Sequence, residues 1–264
     1  MIKAKTEKAL PFARINRNDT IGLFFDVDEL LINNRSQIQE AYRRLAESTG
    51  ALVCDDRFEG ENLFDILKKM KLKYGFDDSV EELAKKRREI YLDILKSDQI
   101  QPSAGVRELF EYLECWRNRL NVRIGYVSSS EKSFLDIAMK KLFQTIGLAD
   151  YVDNPDSFFC YGTDILASTC WRKGIEKKPS PQLYELAINR MNLDPSQCIA
   201  FEDSLSGSRA ALNAGTNLIV VQSYVPFSLD ALTAQYEGRV QQMNSLMDFV
   251  PYMDLLPKQL ETLR

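Results

Sequence analysis

The sequence predicts an α/β protein: a doubly wound, Rossmann-like parallel-sheet core with a helical cap domain inserted into it. Three observations carry that expectation. Short apolar runs bounded by turn or cap residues recur at 21–25 (IGLFF), 122–127 (VRIGYV), 198–201 (CIAF) and 217–221 (NLIVV). Such continuous runs suit parallel strands covered on both faces, which need not alternate. Helical patterns separate the runs, and strand and helix in alternation imply a doubly wound sheet. The stretch 36–103 breaks this alternation directly after the first run, with several helical segments and no convincing strand.

Taken in order, 1–35 and 104–264 are assigned to the core and 36–103 to the cap. The cap segments are SQIQEAYRRLAEST, ENLFDILKKMKLKYG and SVEELAKKRREIYLDILKS, bracketed by the polar loop NNRS and by IQPSAG as hinge connections. Within the third segment, KKRRE is expected to be a solvated helix face. The segment AGVRELFEYLECWRN places Val106, Leu109, Phe110 and Leu113 on one helical face, and SPQLYELAINRMN does the same with Leu183, Leu186, Ala187 and Met191. Ser180 and Pro181 suit the N-cap and first position of that second helix. LSGSRAALNAG reads as a further helix stopped at Gly215. Beyond Tyr224 the chain reads as loop with one or two amphipathic turns.

Composition removes several function classes. With 38 acidic and 34 basic residues the net charge is -4, which offers no electrostatic footprint for nucleic acid. Five cysteines, odd in number and without a CxxC pair, signal neither a disulfide framework nor a zinc site, so a reducing cytoplasm is expected, or an organelle stroma or matrix. No apolar run approaches the roughly 20 residues of a membrane span, and the first twenty residues lack an apolar signal-peptide core. A monomer or weak dimer is expected. The chain contains no histidine, which excludes Ser-His-Asp and Cys-His pairs, HExxH zinc sites and the commonest general base.

In open α/β sheets the active site lies outside the carboxyl ends of the strands. Asp26 and Asp28 follow the first apolar run, Ser128, Ser129 and Ser130 the second, and Glu202, Asp203 and Ser204 the third, while Lys178 lies in the loop before the SPQ helix. Crowded carboxylates need a cation, and oxygen-only ligands select a hard ion such as Mg²⁺. A carboxylate beside such an ion can attack phosphorus, and a second, two residues on, can protonate the leaving alkoxide and then activate water. Lysine, serine hydroxyl and backbone N–H groups can hold the phosphoryl oxygens.

In their order and spacing, FFDVDELL, GYVSSS, KKPSPQLYELAI and IAFEDSLSGSRAALNAG resemble the four successive motifs of the haloacid dehalogenase superfamily, in the branch with a helical cap after the first motif. The resemblance runs from about Ile21 to Val221 and is greatest to its β-phosphoglucomutase, phosphoglycolate phosphatase and CbbY-like group. It implies that Asp26 is the nucleophile forming an aspartyl-phosphate and Asp28 the acid/base, its carbonyl also reaching Mg²⁺. It further implies that Ser128 and Ser129 bind the phosphoryl group, that Lys178 steadies nucleophile and phosphate, and that Asp203 with Glu202 completes the metal site. The second aspartate argues against true dehalogenases, which lack it. The implied function is Mg²⁺-dependent hydrolysis of a small phosphorylated metabolite such as a sugar phosphate; a phosphosugar mutase and a silent interaction protein are the alternatives.

Two departures stand out. Glu29 and Leu30 occupy positions where the family has Gly and Thr or Val, and glycine there gives backbone freedom and room for substrate. Either Glu29 points toward cap or solvent, pairing with a cap cation such as Arg57 and bordering the substrate, or it narrows the site enough to slow turnover. The first is favoured because the other catalytic positions match. The segment GTDILASTCWRKGIEKK is longer than the family form, and among Lys173, Lys177 and Lys178 the position before PSP selects Lys178. Trp171 reads as packing, and Arg57, Glu59 and Asn62 are candidates to face the substrate from the cap.

Overall fold

The structure is a computed structural model that describes residues 20–48, 63–115, 121–149, 176–221 and 227–253. Arg57, Glu59, Asn62, Trp171 and Lys173 lie outside the described residues. The main sheet has five parallel strands: β1 (Ile21–Phe25), β4 (Val122–Tyr126), β5 (Cys198–Glu202), β6 (Asn217–Val221) and β7 (Val240–Met243), in the order β4-β1-β5-β6-β7. The strand labelled β7 lies in the tail that was expected to hold only loop and amphipathic turns. Its sequence, VQQM, carries too little apolar residue to read as a strand, and it forms by pairing with β6 at the sheet edge.

Alternation within each buried strand feeds two cores. Ile21, Leu23 and Phe25, with Ile199 and Phe201, face a cluster built from α4 (Val106–Cys115) and α5 (Lys132–Ile146). Phe24, Cys198, Ala200, Leu218 and Val220 face the opposite cluster on α6 (Gln182–Arg190) and α7 (Leu205–Asn213). On the first side, Phe25 stacks on Phe201 at 4.6 Å between ring centroids and leans on Phe110 at 5.6 Å. Each fully buried aromatic or aliphatic side chain of this kind contributes roughly 1.5–3 kcal/mol. In α6 the buried residues are Leu183, Tyr184, Ala187 and Ile188, so the face is centred beside Leu186 rather than on it, and the helix begins at Gln182 with Pro181 as N-cap.

Between β1 and α4 the chain builds α1 (Arg35–Glu47), α2 (Leu63–Tyr74) and α3 (Val80–Ser97). They share an apolar cluster of their own, including Tyr42, Leu45, Ile66, Leu67, Met70 and Leu83. A capping box opens α3: the Ser79 hydroxyl accepts from the Glu82 amide and the Glu82 carboxylate accepts from the Ser79 amide. The segment leading into α1 and the one leaving α3 pair with each other as a short antiparallel ribbon, β2 (Ile32–Asn33) with β3 (Gln101–Pro102). Helix α3 also packs on α5. There Tyr91 meets Phe134 edge-on at 5.0 Å, Arg88 pairs with Glu131 at 2.5 Å, and Lys141 Nζ donates to the carbonyls of Lys96 and Asp98.

The KKRRE stretch is not uniformly solvated as expected. Arg87 is buried, with its guanidinium 4.9 Å from the Tyr42 ring and 4.5 Å from the Tyr91 ring, an arrangement in which the cation is held by two aromatic faces. No helix among the described residues is long and apolar enough to cross a membrane.

Candidate active site

Parallel register sets the site. Phe25 is level with both Tyr126 and Phe201, and the ladder continues one residue further: the Asp26 amide donates to Phe201 O, and the Val127 amide to Phe25 O. Asp26, Val127–Ser128 and Glu202–Asp203 therefore leave three neighbouring strands at one carboxyl edge. β1 lies between β4 and β5, so the chain passes to one side of it and then to the other, which is the switch point where such sheets bind ligands.

Lys178 enters this edge from the loop before α6. Its Nζ donates to Asp26 Oδ1 at 2.5 Å, to Glu202 Oε1 at 2.6 Å and to the Val127 carbonyl at 2.6 Å. Its side chain is 6% exposed and that of Glu202 is 0% exposed, so both charges are desolvated and depend on each other. The Tyr184 hydroxyl also donates to Glu202 Oε1, and the Lys178 ammonium stands 5.3 Å from the Tyr184 ring centroid. Gly207 makes room for this carboxylate, since a Cβ there would lie 1.8 Å from Glu202 Oε2. Burial pushes Lys178 down, but Asp26 and Glu202 outweigh it and hold its ammonium above the usual range. Burial carries Asp26 well above the ordinary carboxylate range; Lys178 opposes this, and Glu202, Asp203 and Asp28 add to it.

Asp28 is held separately. Its Oδ1 accepts from Asn34 Nδ2 at 2.6 Å, and its Oδ2 from Ser130 Oγ at 2.6 Å and Ser128 Oγ at 3.2 Å. Ser128 Oγ in turn accepts from the Ser130 amide. Asn34 is fully buried and donates its second amide hydrogen to Tyr91 Oη on α3 at 2.9 Å. The Ser129 hydroxyl accepts from the Lys178 amide, fastening the lysine loop to the end of β4. Lys177 is exposed.

One oxygen from each of Asp26, Glu202 and Asp203 can be chosen so that all lie within 4.8 Å of one another. Burial first and Glu202 second raise Asp203 to about 7, and Glu202 Oε2 is buried with no hydrogen-bond partner. Oxygen-only donors, like-charge crowding and an orphaned carboxylate oxygen fit a hard divalent cation. Glu202 Oε1 is already shared by Lys178 and Tyr184, and Asp26 Oδ1 is taken by Lys178, which leaves Asp203 and the second oxygens of Asp26 and Glu202 the less committed ligands.

Glu29 does not point to solvent. Its backbone is left-handed, with φ +64, the conformation in which glycine is at ease. Both carboxylate oxygens are buried without a hydrogen-bond partner. Burial raises its carboxyl to about 7, the Arg35 guanidinium opposes this, and Asp28 adds to it. Of the two directions expected, cap or solvent, the solvent side is closed off because the turn folds back on itself, Glu29 N donating to Ile32 O at 2.8 Å, and encloses the carboxylate beside the start of α1. Its expected partner Arg57 is outside the described residues.

Sequence alone does not single out Tyr184 or Asn34, and it places Ser130 after the second apolar run without giving it a role of its own. Tyr184 is six residues after Lys178, inside the motif that carries the lysine, but a buried tyrosine on a helix reads as packing. Asn34 reads as a hinge-loop residue, and only the fold brings it back over Asp28.

The signature of the haloacid dehalogenase-like hydrolases matches residues 22–215. YhcW from Bacillus subtilis (strain 168) is 27% identical over 234 residues, covering 84% of this chain and 91% of that protein. A phosphorylated carbohydrates phosphatase from Thermotoga maritima is 26% identical over 209 residues, 75% of this chain and 83% of the relative. The crystal structure of CbbY from Rhodobacter sphaeroides in complex with phosphate superposes with a TM-score of 0.63 at 18% identity, over 88% of this chain and 96% of that one. With the four motifs converging on one sheet edge and the signature spanning most of its length, the chain belongs to the haloacid dehalogenase-like hydrolases.

Proposed function

We propose that the protein is a Mg²⁺-dependent phosphomonoester hydrolase of a small phosphorylated metabolite such as a sugar phosphate, working through an aspartyl-phosphate at Asp26. The observation that carries this reading is the division of labour between two aspartates two residues apart. Asp26 is paired to a buried ammonium, as a nucleophile facing an anionic substrate needs, while Asp28 is held by three separate donors away from that ammonium. The relatives named as acting on phosphorylated carbohydrates and on fructose 1-phosphate support the substrate class.

Asp26 and Asp203, with Glu202 and the Asp28 carbonyl, would hold the cation, which when bound offsets negative charge on the phosphoryl oxygens. A carboxylate oxygen of Asp26 attacks phosphorus; the bond from phosphorus to the ester oxygen breaks, and Asp28 gives that oxygen its proton. Lys178 offsets the charge on the phosphoryl group, and the Ser128 and Ser129 hydroxyls lie beside it as donors. Asp28, now ionised, takes a proton from water as the water oxygen attacks phosphorus. The acyl-phosphate bond breaks, returning the Asp26 carboxylate and releasing phosphate.

The test is phosphate release from a panel of phosphomonoesters with Mg²⁺, with chelator, and with Asp26→Asn. Linear release that needs Mg²⁺ and Asp26 is expected. Isomer interconversion without phosphate release would replace hydrolase by mutase, and activity surviving Asp26→Asn would end the mechanism.

A further inference from the structure

Among the described residues, Oδ1 of Asp28 has a single donor, the Asn34 carboxamide. At the N-cap of α1 an asparagine side chain ordinarily accepts from the amides of the first turn, but Asn34 makes no such bond, and its own Oδ1 is buried without a partner. A carboxamide in this position has a choice: turned one way its oxygen serves the helix, turned the other its nitrogen serves Asp28. The second amide hydrogen decides. One hydrogen goes to Asp28 Oδ1 at 2.6 Å and the other to Tyr91 Oη on α3 at 2.9 Å. Turning the oxygen onto the helix takes the nitrogen from both acceptors, and a buried donor left without one is penalised.

Tyr91 is itself closely placed. Its ring is buried, met edge-on by Phe134 of α5 at 5.0 Å and covered by the Arg87 guanidinium at 4.5 Å. Arg87 precedes it by four residues on α3 and so lies one helical turn away on the same face. This arginine is buried too, with its guanidinium 4.9 Å from the Tyr42 ring of α1 and its Nε without a hydrogen-bond partner. A cation kept inside the protein in this way is spent on two aromatic faces. The effect is to hold the Tyr91 ring between Arg87 and Phe134, so that the hydroxyl meets Asn34 from a fixed position.

We propose that Tyr91 is a positioning residue: its hydroxyl, by accepting from Asn34, keeps the carboxamide nitrogen turned to Asp28 Oδ1, and Arg87 keeps the Tyr91 ring in place. Without the hydroxyl, the Asn34 oxygen turns to its own helix, and Asp28 keeps only the Ser128 and Ser130 hydroxyls, both on Oδ2. A carboxyl held on one side alone is free to swing, and proton delivery to a leaving oxygen depends on its direction. The inference rests on the reading of Asp28 as the acid of a phosphomonoester hydrolase, so its readout compares a reaction that needs the acid with one that does not. An alkyl phosphate has a poor leaving group that must be protonated; p-nitrophenyl phosphate has a good one. The alkyl-to-aryl ratio of kcat/KM reports the first transfer, in which Asp28 gives up its proton, because the later attack by water is common to both esters.

The experiment measures kcat and KM for p-nitrophenyl phosphate and for the best alkyl phosphate of the panel, in the wild type, Tyr91→Phe, Asn34→Ala, the double variant, Arg87→Met and Lys141→Met. Tyr91→Phe keeps the ring and removes only the hydroxyl; it is expected to lower the ratio by about tenfold, a fraction of what a general acid supplies. Because Tyr91 acts through Asn34, Tyr91→Phe should add little to Asn34→Ala. Lys141→Met breaks the bonds to the carbonyls of Lys96 and Asp98, loosening the end of α3 without touching Tyr91 or Asn34, and should leave the ratio within about twofold. Arg87→Met leaves the hydroxyl but frees one face of its ring, and a fall of about threefold is expected. Should Tyr91→Phe lose Asp26-dependent cleavage of the aryl ester, and with it the sign of a folded chain, Arg87→Met carries the test. An unchanged ratio in the variant that carries the test, additive effects in the double variant, or an equal fall in Lys141→Met would overturn the proposal. A wild type that cleaves the aryl ester in an Asp26-dependent way but no alkyl ester would also overturn it while leaving the nucleophile standing; a wild type that cleaves neither would overturn the hydrolase reading as well.

Discussion

On the sheet side of the site, Lys178 is enclosed by Asp26, Glu202 and the Val127 carbonyl, Glu202 takes a further bond from Tyr184, and the groups are anchored at the ends of strands already locked by parallel register. On the turn side, two residues along the chain, Glu29 has a left-handed backbone and two unpartnered oxygens, Asn34 Oδ1 is an orphan, and Asp28 is reached by donors from β4's loop and from the cap crossing. The nucleophile needs one geometry, with its cationic partner in place before substrate arrives, so a rigid and mostly satisfied arrangement suits it. The acid/base must release a proton in one step and take one in the next. Its partner Asn34 sits just before α1 and also bonds Tyr91 of α3, so the hold on Asp28 is tied to the helices packed over the sheet edge rather than to the strands alone.

Breaking the sheet side should cost both stability and turnover. Lys178→Met removes the cation from between two buried carboxylates, and a loss of about 3–5 kcal/mol in urea unfolding is expected because a buried pair is broken rather than replaced, together with loss of phosphate release. Gly207→Ala should be nearly as damaging, since its Cβ would stand 1.8 Å from Glu202 Oε2 and the carboxylate must leave its place. For a helix residue this is the reverse of the usual gain of up to about 1 kcal/mol from glycine to alanine, so a more stable Gly207→Ala chain would break the account of Glu202.

A smaller effect separates hydrogen bonding from packing on the same side. Tyr184→Phe keeps the ring over Lys178 and removes one donor from a buried carboxylate, with about 1.5–3 kcal/mol expected for a bond to a charged group. The measurements are denaturant unfolding and kcat; no change in either would reduce Tyr184 to packing.

The smallest effect concerns pH. Asp203 and Glu29 are both raised to about 7 in the folded chain. A raised carboxyl binds its proton more tightly folded than unfolded, so the stability it confers is greatest below its unfolded value near 4 and is lost as pH rises through about 7. Metal-free protein should therefore lose melting temperature between about pH 5 and 7.5 through these groups. Mg²⁺ should raise the melting temperature more at pH 7.5 than at pH 5, because the ion competes with protons for Asp203. In Asp203→Asn the metal-dependent part of this trend should vanish, and in Glu29→Gln only part of the metal-free trend should.

Much of this was legible without coordinates. Continuous apolar runs ending in acids, serines and a glutamate–aspartate pair can be read because a buried parallel strand must be apolar throughout and must stop where polar groups begin. The same rule failed at β7, where an edge strand with Gln241 and Gln242 exposed does not need a continuous apolar sequence and pairing with β6 decides. Helix faces were readable to within one residue, and Tyr184 was lost in that margin.

By itself, the sequence determined the order of elements, the carboxyl edge at which chemistry collects and the identities of Asp26, Asp28, Ser128, Lys178, Glu202 and Asp203 as candidates, since each follows a local pattern of strand end or helix start. Only the tertiary structure decided which of those groups touch. It brought Tyr184 onto Glu202, turned Asn34 away from its own helix and onto Asp28, and enclosed Glu29 rather than exposing it. These outcomes are competitions between partners distant in sequence for the same few donors and acceptors, and burial settles them by removing water as the alternative partner.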